Sequence, residues 1–278
     1  MRRKNLFKLM KKNSFTSRRQ RAGFTLVELL TVIAIIAILA AMILPALKSV
    51  KTAALKTKAK AEAVDLVNAI NAYDTAYGRF PIIKPEQTAA NGNDFTCGLV
   101  PNPQSPNNTL VWPTGAAGNH SYDNNSNVVA ILMDLQTYPN GVVTSNNAHV
   151  YNPKSDKFLN AKMSGYDPTT AQLNPPGGVD NTGVYRDPWG NPYIITMDTS
   201  YDDQASDLFY CQQAVSQNGA NQKAGHNGLA NAVDVNGNGD HFLFHGKVMV
   251  WSAGPDGKFD STIPANLGVN KDNVLSWQ

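Results

Sequence analysis

One carboxylate interrupts the most apolar stretch of this chain. Residues 24–47 read FTLVELLTVIAIIAILAAMILPAL, and Glu28 is the only charged side chain among them. A carboxylate near the start of a membrane-length helix costs a few kcal/mol or more, and such residues generally mark function. Something must offset it. The first helical turn helps, because the macrodipole favours an anion there. A cationic partner would help more. If the chain is cut between Gly23 and Phe24, a new α-amino group appears four residues from Glu28. In an assembly, Glu28 of one copy can then meet the amine of its neighbour.

Two other constellations have oxygen donors at spacings that could hold a cation. Asp256, Asp260 and Asp272 could supply carboxylates to calcium, which takes six to eight oxygen ligands, with carbonyls and water completing the set. The alternative is an Asp-Gly turn in a solvated loop. Asp234, Asn236, Asn238 and Asp240 occupy relative positions 1, 3, 5 and 7 of a loop with Gly239 at position 6, as in an EF-hand. His245 stands at position 12, where a bidentate glutamate is expected, so an Asn-Gly hairpin turn explains the segment better. Cys97 and Cys211 could pair in an exported domain, and their separation leaves the pairing open. His241 and His245 would share one strand face but lack an evident third metal ligand. The sequence has no serine-centred elbow, phosphate loop or Cys-x-x-Cys, and it reads as a non-enzymatic protein.

The elements that must position these residues follow from patterning. Residues 1–23 hold nine of the 24 basic residues and no acidic one, which leaves 15 basic against 21 acidic residues, a formal −6, for residues 24–278. Such a tail beside an apolar helix points to membrane topology, with the tail cytoplasmic and the body outside the inner membrane. It does not resemble a basic folded face for nucleic acid. Residues 24–47 extend roughly 36 Å as a helix, enough to cross a hydrocarbon core roughly 30 Å thick. Leu55, Ala59, Ala63, Leu66, Ile70, Tyr73 and Tyr77 recur every three or four residues, so an amphipathic continuation over 48–77 is expected. Pro45 removes a backbone hydrogen bond within it and should loosen it locally. Gly78 and Phe80-Pro81 should end it. Residues 78–185, rich in Asn, Pro, Gly and Ser, read as a long decorated connection with a short buried helix at Asn127–Leu135. Over 186–278, the dense turn Asp187–Tyr193 leads to a strand at Tyr193–Met197, and His245–Ser252 predicts another. Trp189 is expected to cover the core. The fold class is α+β: a long N-terminal helix against a small antiparallel sheet.

Gly23-Phe24-Thr25-Leu26-Val27-Glu28 resembles the cleavage and methylation motif of type IV pilins and type II secretion pseudopilins. The resemblance implies a leader over 1–23, cleavage after Gly23 by a prepilin peptidase and N-methylation of Phe24. It also implies assembly through Glu28, and Pro45 matches the family's helix proline, a point of helix stretching in filaments. DPWGNPY looks like the hallmark turn of the major pseudopilins. Ser252–Gly257, with Asp272 and Trp277 downstream, is similar to their calcium loop, in which Asp256 and Asp272 align by motif. Here the stretch between those aspartates is longer, lacks a glycine-rich centre and carries Lys271. The implied function is a structural subunit of a periplasmic pseudopilus that supports protein export. Its partners would be its own copies, related pseudopilins and an inner-membrane assembly platform with a separate ATPase. A surface pilus for adhesion, motility or DNA uptake, or an anchored exported binding or hydrolytic domain, are the alternatives.

Overall fold

The computed structural model describes residues 24–90, 92–98, 124–166, 177–219, 221–233 and 240–278. These fall into two compact units, one ending at Ser49 and one beginning at Val50. Helix α1 spans Leu26–Tyr77 without a break, with Pro45 inside it. In the first unit its described apolar side chains, from Leu26 to Ile43 and at Leu47, are exposed. An 18-residue window there has a mean hydropathy of 2.8, long and apolar enough to cross a membrane.

In the second unit the predicted stripe is the buried one. Ala59, Ala63, Leu66, Ile70 and Tyr73 are all 0% exposed, while Leu55 and Tyr77 are half-buried. Gly78 ends the helix in the left-handed region at φ +65, and its N–H reaches the Asp74 carbonyl at 2.7 Å. A glycine adopts this conformation at no steric cost.

The stripe packs on a four-stranded antiparallel sheet in the order β1 (Phe95–Cys97), β4 (Ile194–Met197), β10 (Val248–Ser252), β11 (Val274–Leu275). Met197 pairs with Phe95 on one side and Val248 on the other, and Trp251 pairs with Leu275. Alternation along the strands divides the interior. Tyr193, Ile195, Met197, Val248 and Val250 join Leu66, Ile70 and Tyr73 in one core. Ile194, Met249, Trp251 and Leu275 face the other way, into a second core with Phe209, Tyr210, Val215 and Phe242. The sheet is thus covered on both faces.

The second cover is a five-stranded sheet in the order β5 (Gln204–Ala205), β9 (Asp240–His245), β8 (Ala230–Val233), β7 (Asn221–Gly225), β6 (Gln217–Asn218). A short helix, α4 (Gln213–Ser216), precedes β6. Two short helices, α2 (Lys84–Ala90) and α3 (Ser126–Leu132), and a two-stranded ribbon of β2 (Gly178–Val179) and β3 (Tyr185–Arg186) complete the unit. The segment read as a connection therefore supplies edge strand β1 and the buried helix α3.

One expectation changes, and one open pairing is not made. Trp189 is half-buried and belongs to neither core, whereas Tyr193, four residues on, is fully buried. Its hydroxyl sits against α1, 3.2 Å from the Ala59 carbonyl and 2.8 Å from Glu62 Oε2. Cys97 and Cys211 are not joined in a disulfide. Cys97 pairs with Ile195 in the first core, whereas Cys211 follows Leu208–Tyr210 of the second.

Candidate functional site

At the start of α1, Thr25 and Glu28 cap each other. The Thr25 N–H and hydroxyl donate to Glu28 Oε2 at 2.8 and 2.7 Å, and the Glu28 N–H donates to Thr25 Oγ1 at 3.2 Å. This is a capping box, which satisfies helix-start donors reciprocally. The Thr-x-x-Glu spacing was available in the sequence, and Thr25 is a site residue that sequence reasoning missed. Phe24 is 79% exposed just ahead of the cap. Gly23 lies outside the described residues.

The second site joins two turns that are 60 residues and more apart. Asp187 is 0% exposed. Its Oδ1 accepts the N–H groups of Trp189 (2.9 Å) and Asn191 (2.8 Å), which closes the turn. Its Oδ2 accepts the Asn191 amide at 3.1 Å and the Ser252 hydroxyl. Burial pushes the Asp187 carboxyl up to about 6, against the lowering effect of those donors. The Ser252 oxygen in turn accepts the Gly254 N–H at 3.0 Å, and Asn191 Nδ2 donates to the Gly254 carbonyl at 2.7 Å. Asp187 and Asn191 thereby fasten the Ser252–Gly257 loop.

That loop meets the segment Gly268–Asp272. Gly254 has φ +68, and a Cβ there would lie 2.2 Å from the Asp272 carbonyl oxygen, so only glycine fits. Burial raises the Asp272 pKa, the Asp256 charge raises it further, and Lys56 of α1 opposes both. Asp272 Oδ1 is buried with no hydrogen-bond partner. The structure thus brings Asp256 and Asp272 together and leaves one of their oxygens unsatisfied, which suits a hard cation. Asp260 is not drawn in. Its Oδ1 accepts the N–H and hydroxyl of Thr262 at 2.8 and 2.6 Å, and these bonds lower its pKa. Among the described residues, no cluster of three or more His, Cys, Asp or Glu gathers for a metal. Further ligands at Asp256 and Asp272 would be carbonyl, amide or hydroxyl oxygens, or water.

In the other candidate loop, Asp234, Asn236 and Asn238 lie outside the described residues. Asp240 begins β9 and pairs with Val233 of β8, so the loop connects an antiparallel hairpin. His241 and His245 both lie on β9, and His241 Nε2 sits 2.7 Å from Ser206 Oγ.

Asp94, just before β1, is a further group that no sequence pattern marked. Its carboxylate accepts the Ser206 N–H at 2.7 Å, and burial, helped by the Asp198 charge, raises its pKa to about 6. A raised carboxyl pKa means that the folded state holds its proton more tightly than the unfolded chain. The stability this contributes is complete below the ordinary value of 3.8 and is lost as pH rises through about 6. The wild type is expected to lose up to about 3 kcal/mol more than Asp94→Asn across that window. Parallel pH profiles of denaturant midpoints would contradict it.

Residues 18–44 match the family described as the prokaryotic N-terminal methylation motif. The chain therefore carries, at its N-terminal end, the processing motif of type IV pilin-like subunits, followed directly by an apolar helix of membrane-spanning length. Neither the curated proteins nor the solved structures contain a match to this chain.

Proposed function

We propose that this protein is a structural subunit of a type II secretion pseudopilus, cut after Gly23, methylated at Phe24 and held in the inner membrane by α1 until it assembles. The observation that carries the reading is Glu28, the lone carboxylate of the apolar stretch 24–47 and beside the cleavage site. Before assembly, Thr25 supplies its hydrogen bonds. In the filament the terminal amine of a neighbouring copy supplies a charge. Helix packing and this contact register each incoming copy, and a separate ATPase on the assembly platform supplies work. The body lies in the periplasm and its role is structural rather than catalytic.

The fastening of the Asp187 turn to the Ser252 loop supports a pseudopilus over a surface pilus, because both motifs resemble those of the major pseudopilins. Deleting the protein is expected to abolish export of secreted enzymes. Intact export with loss of surface adherence alone would contradict this and favour the pilus.

Asp256 and Asp272 are the residues that would hold calcium, where the ion would neutralise the paired carboxylates and pin the loop to the Gly268–Asp272 segment. Calcium at about 100 times its dissociation constant stabilises a fold by about 2.7 kcal/mol, a melting shift of roughly 5–10 °C at this size. Asp272→Asn should remove the shift while Asp260→Asn keeps it. A calcium-independent melting temperature in the wild type would rule the ion out.

A further inference from the structure

A recess of about 320 Å3 opens where the chain leaves α1, in the second unit. It lies at the small end of the roughly 300–1,000 Å3 range of ligand sites, the size for one ring rather than a chain. Its lining includes Arg79, Lys84 and Gln87 but no acidic residue, within a body whose formal charge is negative. Among the described ion pairs, neither Arg79 nor Lys84 has a carboxylate partner. The guanidinium of Arg79 lies 6.0 Å from the centre of the Tyr151 ring and donates to the Tyr151 carbonyl at 3.3 Å. It keeps other donors for an anion. The Tyr151 hydroxyl accepts the Lys84 N–H at 3.1 Å, which leaves its own proton to donate.

Part of the lining is aromatic and held under strain. Tyr201 stacks on Phe80 with ring centres 5.6 Å apart, yet it remains 53% exposed. Its φ of +59 is an outlier for so bulky a residue. Ala148 and His149, just before Val150 and Tyr151 of the lining, are also left-handed, at φ +54 and +57. Strain of this kind persists where the surroundings over-determine it and tends to cluster at ligand clamps.

We propose that this recess binds an acidic saccharide ring. Arg79 and Lys84 take the carboxylate by charge-assisted bonds. The tyrosine faces receive the apolar C–H side of the ring, and Gln87 with the Tyr151 hydroxyl pairs its hydroxyl groups. The site is independent of which filament the protein builds.

The test uses the full chain in detergent, titrated with glucuronate, glucose and benzoate and followed by ligand-observed NMR, with melting temperatures of each variant as a fold control. Glucuronate is expected to saturate, with glucose and benzoate binding at least tenfold more weakly. Arg79→Gln and Lys84→Gln should each weaken glucuronate about tenfold, equivalent to about 1.4 kcal/mol. Lys84→Gln keeps the wild-type melting temperature, so it stays informative if Arg79→Gln unfolds. No saturable glucuronate binding, equal binding of glucose, a preference for benzoate, or unchanged affinity in Lys84→Gln would overturn the assignment.

Discussion

Glu28→Ala is expected to leave membrane insertion and cleavage intact and to cut filament yield by tenfold or more. Removing a carboxylate from an apolar helix lowers the cost of insertion, so the variant should accumulate in the membrane at least as well as the wild type. It loses both the acceptor for the Thr25 N–H and hydroxyl and the anion that meets a neighbour's terminal amine. A hydrogen bond to a charged group contributes about 1.5–3 kcal/mol, equivalent to roughly ten- to hundredfold in the constant for adding one subunit. Thr25→Ala keeps the carboxylate and removes only the cap hydroxyl, a cost of about 1 kcal/mol, so its defect should be milder. Sheared-filament yields, normalised to membrane-bound protein, separate the two. Normal filaments from Glu28→Ala would refute the assembly role.

Arg186→Ala should strongly destabilise the second unit. Arg186 is 2% exposed and Asp180 is 0% exposed, and Arg186 Nε donates to Asp180 Oδ2 at 2.8 Å. The guanidinium also donates to the Gly190 carbonyl at 3.0 Å and lies 5.1 Å from the centre of the Tyr166 ring. Asp180 additionally accepts the N–H groups of Thr182 and Val184. Removing the arginine strands a buried carboxylate, which costs about 3–5 kcal/mol, a large part of a typical folding stability of about 5–15 kcal/mol. Adding Asp180→Asn should recover part of the loss by removing the stranded charge. Urea midpoints of the single and double variants measure this. A single variant as stable as the wild type would show that the pair is not structural.

The parts of this fold that were legible in the sequence are those with a repeating pattern. The α1 stripe from Ala59 to Tyr73 is a local periodicity, and one helix buries all of it. Strands β4 and β10 alternate and were visible for the same reason, although the alternation did not show that Ile194 and Trp251 face a second core. Strands β2, β3, β5 and β11 have two residues each, too few for any period to register. The sequence predicts Trp189 over the core, yet the turn spends Asp187 and Asn191 on the Ser252 loop and delivers Tyr193 to α1. The link between Asp187 and Ser252 spans 65 residues and leaves no local trace. The spacing offers Asp260 as a third carboxylate beside Asp256 and Asp272, whereas Asp260-Ser261-Thr262 closes on itself, as a short acidic side chain two residues before a threonine readily does.

The most direct test is the intact mass and N-terminal sequence of the protein purified from its native membranes. If the carboxylate of Glu28 awaits a newly made terminus, the chain begins at Phe24 and carries one methyl group on its amine. A polypeptide that keeps Met1–Gly23 in mature cells would contradict it, since no cationic terminus would then arise beside the helix.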